Sequence, residues 1–209
     1  MKRNVLLLSV VVAASLACAK PCRAEGFATR GSWLAIGDLS YDREDFEATR
    51  SWTTLRGNRQ RASVEPEVGY FVLDGLLLAA GIGVSFDRID NALKTDRTTT
   101  VAVNLKPAYY LPIADGLFVH AGVPLAAIVG GEARAVTKAT GDVAGGGITG
   151  WSAGLGGGLA YALGDERGAV ARLNIDYAYR SLTYAPDFGT GTRVAQGVLS
   201  AALGFGAHF

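Results

Sequence analysis

Two histidines and two cysteines bound the chemistry open to this 209-residue chain. Both cysteines, Cys18 and Cys22, fall in an N-terminal stretch that reads as a removable leader, so the remainder cannot build a Cys/His zinc site. A nucleophilic serine needs a base within hydrogen-bond reach. Neither His120 nor His208 stands in a local His-x-Ser arrangement. Gly145-Gly146-Gly147-Ile148-Thr149-Gly150 has the letters of the G-x-G-x-x-G phosphate-binding fingerprint. That fingerprint needs a strand before it and a helix after it; here a loop precedes and a strand follows, so the glycines read as loop and small interior residues. The remaining chemistry is ionic. Asp38, Glu65, Glu67, Asp87 and Asp176 stand against Arg61, Lys106, Arg172 and Arg180, and whether they meet depends on the faces they share.

The leader occupies residues 1–24. Met1-Lys-Arg-Asn is a positive start, Val5 to Leu16 is almost unbroken Val, Leu and Ala, and small residues follow, which is the pattern of a secretory signal peptide. The apolar run is shorter than the ~20 residues of a spanning helix. Cleavage is expected between Ala24 and Glu25, with a second small-x-small site after Ala19 and, as an alternative, lipidation of Cys18 after a loose lipobox. The leader holds four of the 20 Lys/Arg and none of the 19 Asp/Glu, so residues 25–209 carry a net charge of −3 where the whole chain carries +1. A slightly acidic chain lacks the basic footprint of a general nucleic-acid binder. No cofactor is expected.

The elements that must position the charged set alternate with a period of two, the mark of strands. In Ala169 to Leu182, residues Ala171, Leu173, Ile175, Tyr177 and Tyr179 alternate with Arg172, Asn174, Asp176, Ala178 and Arg180. Similar alternation predicts strands at 32–43, 60–72, 76–88, 98–111, 117–131, 148–162, 169–182 and 194–209. Short connections contain Asp74-Gly75, Asp115-Gly116 and Gly164-Asp165-Glu166-Arg167-Gly168, whose residue types tolerate positive φ. Longer polar connections are expected at 44–59, 89–97, 132–147 and 183–193. Long and short connections alternate, which is the layout of an all-β, eight-stranded antiparallel up-and-down transmembrane β-barrel over residues 25–209. Hydrocarbon demands an internal partner for every backbone polar group, so a sheet there must close on itself. Aromatics gather near both expected rims. The competing fold is a soluble eight-stranded barrel, which would put its apolar face inward.

The chain resembles the small eight-stranded outer-membrane β-barrel proteins of Gram-negative bacteria, similar to the transmembrane domain of outer membrane protein A. The resemblance is carried by the leader, the Pro66-Glu-Val-Gly-Tyr-Phe-Val-Leu-Asp-Gly75 hairpin, Lys106-Pro-Ala-Tyr-Tyr110 and terminal Phe209. Such proteins often end in an assembly signal; Gly204, Ala207 and Phe209 fit it, while Ala202 occupies its usual polar position. The resemblance implies an outer-membrane location, insertion by the barrel-assembly machinery, and contact with outer-membrane lipid and lipopolysaccharide. A monomer is expected, with no appended peptidoglycan-binding domain.

In a narrow barrel the interior is just filled by side chains, and unpaired charge there is costly. The nine ionisable residues are therefore expected to pair across the lumen. The small positions of one strand, Gly150, Ser152, Gly154, Gly156 and Gly158, are expected to make room for Arg61, Glu65, Glu67 and Phe71 opposite. In the first long connection, acidic Asp42, Glu44, Asp45 and Glu47 would face basic Arg50, Arg56, Arg59 and Arg61 across a hairpin, with Trp52 near its tip. These features favour a non-enzymatic barrel with a structural or surface-loop role. The alternatives are a small transport barrel for hydrophobic compounds or ions, and a lipid-modifying barrel enzyme; the second is disfavoured because both histidines fall near the short-turn rim.

Overall fold

The computed structural model describes residues 26–50, 53–164, 167–186 and 192–209. The leader, with Cys18, Ala24 and Glu25, lies outside the described residues, as do Trp52 and the Asp165-Glu166 pair. The described residues form β1 (Trp33–Arg50), β2 (Thr53–Leu73), β3 (Leu76–Asn91), β4 (Lys94–Ala114), β5 (Leu117–Gly122), β6 (Leu125–Thr137), β7 (Val143–Ala162), β8 (Gly168–Pro186) and β9 (Thr192–His208). Every pairing is antiparallel, consecutive strands pair except β5 with β6, and β9 returns to β1 to close the ring. No described helix is long and apolar enough to cross a membrane, which says nothing against crossing by strands.

Nine strands make eight staves, because β5 and β6 are two pieces of one. Pro124 has no N–H to donate to the ladder, which interrupts the stave there. The interruption costs no register: Ala108↔Gly122 and Leu105↔Leu125 keep the same offset against β4. Val123 N still donates to Pro107 O (2.9 Å) and Gly154 N to Pro124 O (3.0 Å) across the gap.

The strands run further than their apolar alternation suggests. The expected connections at 89–97 and 132–147 are almost entirely ladder: Asp90 pairs with Thr95, and Val136 with Val143. Only short turns are left. Asn91 Oδ1 accepts from Leu93 N and Lys94 N, both at 2.9 Å, and closes the β3–β4 turn. Backbone pairing does not require apolar side chains once a strand has passed the apolar zone, so a hydropathy pattern ends before the strand does. The first hairpin extends likewise to Arg50↔Thr53, and its register sets Asp42 opposite Arg61, Glu44 opposite Arg59 and Glu47 opposite Arg56.

At the other rim, β2–β3 and β4–β5 turn tightly. The turns fall at the expected Asp-Gly pairs, where the glycines take positive φ, Gly75 at 78° and Gly116 at 71°, and Asp74 and Asp115 do not. Each turn adjoins a register shift, between Phe71 and Leu73 and between Pro112 and Ala114. A glycine in the left-handed region beside a bulge relieves that strain. A Cβ on Gly75 would also stand 2.6 Å from Tyr110 O.

Polarity is inverted relative to a water-soluble barrel. Leu39, Ile82, Leu155, Ile175 and Leu199 point outward and are more than half exposed, while Asp38, Glu67, Lys106 and Arg172 are buried inside. Such an exterior is matched to hydrocarbon as solvent, and the soluble-barrel alternative is excluded. Trp33 with Tyr70 and Trp151 with Tyr179 form two outer aromatic pairs, with centroids 4.9 and 5.7 Å apart.

The seam is the least extensive junction. β1 and β9 pair from Leu34↔His208 to Leu39↔Leu203, and two bonds between Trp33 and Phe209, 2.7 and 3.1 Å long, finish it at the turn rim. Among the described residues the pairing goes no further toward the loops, whereas β8 and β9 pair from Gly168↔His208 to Tyr184↔Thr192.

Candidate functional site

The interior is layered along the barrel axis, and each layer follows from the parity of the strands. Nearest the tight turns lies an aromatic cluster. Residues 26–32 fold into the mouth, where Phe27 is only 2% exposed. Its ring packs edge-on against Phe71, Tyr110, Phe118 and His208, with centroids 4.8–5.7 Å away. The segment is held by its backbone: Gly75 N donates to Ala28 O (2.7 Å), Gly31 N to Phe71 O (2.9 Å) and Arg30 N to Asp74 Oδ1 (2.8 Å). His120 stacks on Tyr110 at 5.0 Å. His208 Nε2 lies 3.3 Å from Leu163 O. Both histidines are thus packed into the turn-side layer.

Above the rings sits the Arg172 layer. Arg172 Nη2 donates to Asp38 Oδ2 (2.6 Å) and also to Glu67 Oε1, while its Nη1 donates to Tyr110 Oη (3.1 Å). Asn174 Nδ2 adds a bond to Asp38 Oδ2 (3.0 Å), and Lys106 Nζ lies 3.9 Å from the same oxygen. The guanidinium bridges β8 to β1 and β2 across the lumen, with 1% of its side chain exposed. One cation beside two carboxylates, with Lys106 near, leaves neither sign uncompensated, as burial demands. Gly204 permits the layer to form, since a Cβ there would fall on Asp38 Oδ1.

A second charge cluster stands toward the loops. Arg59 Nε reaches both oxygens of Asp87 at 3.0 Å, its Nη2 also bonds Asp87 Oδ2, and Arg61 Nη2 lies 3.6 Å from that oxygen. Between the two clusters lie Glu65, Asp176 and Arg180, which the structure places on the lumen face without joining either. Among the described residues, Asp176 Oδ1 and Arg180 Nε have no hydrogen-bond partner. Two cavities occupy this region. One, of about 90 Å³, adjoins Glu65, Lys106 and Asp176; the other, of about 160 Å³, adjoins Arg61, Asp87 and Arg180.

Against this geometry the chain can be compared with known proteins. Its likenesses among solved structures include small outer-membrane barrels and an autotransporter translocator domain. They include Neisserial surface protein A, at 17% identity over 85% of this chain and 96% of that one, with a TM-score of 0.39. The attachment invasion locus protein Ail of Yersinia pestis matches at 16% identity over 87% and 100%, with a TM-score of 0.40. A major outer membrane protein from Thermus thermophilus matches at 15% over 86% and 99%, with a TM-score of 0.39. No protein-family model and no curated protein matches the chain.

The nine residues singled out in the sequence all line the barrel interior, six of them in the two bonded clusters: Asp38, Glu67, Lys106 and Arg172 in one, Arg61 and Asp87 in the other. The small-residue strand works differently from the expectation. A Cβ on Gly150, Gly154 or Gly158 would collide first with carbonyls of Ser181, Tyr177 or Leu173 on adjacent β8, and one on Gly156 with the Asp176 carboxylate. The missing side chains admit the neighbouring strand before the opposite wall. Of the terminal residues, Gly204 faces Asp38, while Ala207 and Phe209 face outward at the turn rim.

The charge set singled out in the sequence lacks Tyr110 and Asn174, which bond in the Arg172 layer, and also Arg59, Asp96 and Phe27. Arg59 and Asp96 fell in stretches read as loops, although continuing the parity of Arg61 and Thr98 would have placed both inside. Phe27 lies outside any alternation, and no local pattern marks it.

Proposed function

We infer that this protein is a non-enzymatic outer-membrane β-barrel, closed to passage, whose role is structural or carried by its loop-side surface. The observation that supports this most is the succession of two sealing layers, the Phe27 ring cluster and the Arg172–Asp38–Glu67 layer, between the turn rim and the cavities. A solute moving along the axis would have to break both. The apolar exterior supports residence in a membrane, and the leader supports export with removal of residues 1–24 before insertion by the assembly machinery. The turn rim would then face the periplasm and the long β1–β2 hairpin the exterior, in contact with lipopolysaccharide.

The placement of His120 and His208 among turn-side aromatics supports the non-enzymatic reading, because among the described residues no serine hydrogen-bonds either one. A lipid-modifying enzyme would need its base near the opposite rim.

The test is electrical. Folded protein incorporated into planar bilayers is expected to show no steady conductance, whereas Phe27→Ala combined with Arg172→Ala opens a path. A large, steady wild-type conductance would overturn the closed-barrel reading in favour of transport. Location is tested separately by membrane fractionation and by heat-modifiable gel migration.

A further inference from the structure

The larger cavity is lined by Arg59, Arg61 and Arg180 together with Asp87 and Asp96, and Glu65 stands near Arg180. Asp87 is engaged by Arg59 and lies 3.6 Å from Arg61 Nη2. Asp96, also on the cavity wall, is held through Oδ2 by Lys94 Nζ at 2.6 Å, while its Oδ1 is buried with no hydrogen-bond partner among the described residues. Arg180 projects into the same space with no ion pair or hydrogen bond among the described residues, and its Nε is buried without a partner. A guanidinium so placed keeps a planar fork of donors free in surroundings where charge is poorly screened. Leu182 and Ile128 supply apolar wall, while Tyr184 and Gln196 add polar side chains at its edge.

We propose that the cavity between Arg61 and Arg180 is a binding site for a small oxyanion, a carboxylate or a phosphate-sized group. The two guanidinium groups would receive its oxygens as paired charge-assisted hydrogen bonds, the interaction for which arginine is better suited than lysine. Size sets the class. A volume of about 160 Å³ holds about five waters at ~30 Å³ each, which admits inorganic phosphate or a short carboxylate and excludes a nucleotide, an oligosaccharide or an acyl chain. The site is independent of axial passage, since the cavity lies on the loop side of the Arg172 layer.

The experiment is an amide-detected NMR titration of the folded barrel in detergent micelles, with inorganic phosphate in one arm and propionate in the other. Saturable shifts are expected at residues 61, 98–100 and 180–184. Saturation by phosphate alone assigns a tetrahedral anion, and by propionate alone a carboxylate; either supports the site. Arg180→Gln and Arg61→Gln are each expected to weaken binding by about tenfold or more, the scale of one charged hydrogen-bonding group. Arg97→Gln, at a position facing outward near the loop rim, leaves it unchanged. If Arg180→Gln does not fold, Arg180→Lys keeps the charge but loses the fork, and weakened binding is again expected. Shifts that rise linearly with concentration, or binding equally strong in the folded Arg180 variant, would overturn the proposal.

Discussion

Below Arg172 the lumen is filled by packed rings; above it, side chains of both signs surround two cavities. The two halves arise from one sheet whose inward positions change character along its length. On the turn side, inward residues of β2, β4 and β5 are Phe71, Tyr110 and Phe118, large shapes that pack without charge. On the loop side the same strands, with β6 continuing β5, present Arg61, Thr98, Thr100 and Ile128, which leave gaps or enclose polar space. A dense layer responds to lost volume, and a charged cavity to lost partners, so the halves should answer mutation differently.

The largest effect is expected where they meet. Arg172→Ala strands the Asp38 and Glu67 carboxylates in the interior and should cost about 3–5 kcal/mol, read as a lower urea midpoint of the folded barrel by tryptophan fluorescence. Arg180→Gln, a few residues along the same strand, should cost less than about 1 kcal/mol, because no protein partner is left behind. Equal losses would erase the distinction between bonded layer and cavity. Phe27→Ala removes the ring that four others contact and should cost about 3 kcal/mol, with faster hydrogen exchange confined to the turn side. Gly204→Ala pushes a methyl against Asp38 and should cost about 1–3 kcal/mol; pairing it with Asp38→Ser should recover part of that loss, whereas simple additivity would deny the contact.

The smallest effect belongs to the rim. Asp90 pairs with Lys138 at 2.7 Å and with Arg88 at 3.1 Å, tying the β3–β4 end to the β6–β7 turn. The hydrogen bond from Lys138 holds the Asp90 carboxyl below its ordinary value of 3.8. A carboxyl lowered by folding stabilises above its unfolded value and loses that contribution as pH falls through the folded one. The link should therefore persist at neutral pH and loosen only in strong acid, seen as rising amide exchange at Leu93 and Lys138. Loosening near pH ~6, where histidine titrates, would assign the link to another group.

Much of this architecture was legible because a barrel wall has one repeating rule. Alternation located every stave, and parity put Asp38, Glu67, Lys106 and Arg172 on one face before any contact was known. What remained hidden was whatever the rule does not govern. The partition of charges into two clusters depends on stagger between strands, which brings Arg172 to Asp38 across the seam rather than to its nearest sequence neighbours. Strand ends beyond the apolar belt show no hydropathy signal, so Arg59 and Asp96 read as loop. Phe27 acts from a segment with no repeat, and only the fold reveals that a ring fits there.

The short seam also sets an order of events. Seven of the eight junctions join staves adjacent in sequence and form as local hairpins, but the junction between β1 and β9 must bring together Trp33 and Phe209 from opposite ends of the folded chain. The entropy of closing so long a loop has few pairs to offset it, and contacts of such sequence separation form slowly. Assembly is therefore expected to end with the meeting of the two sheet edges, with Arg172 reaching both Asp38 and Glu67 only then.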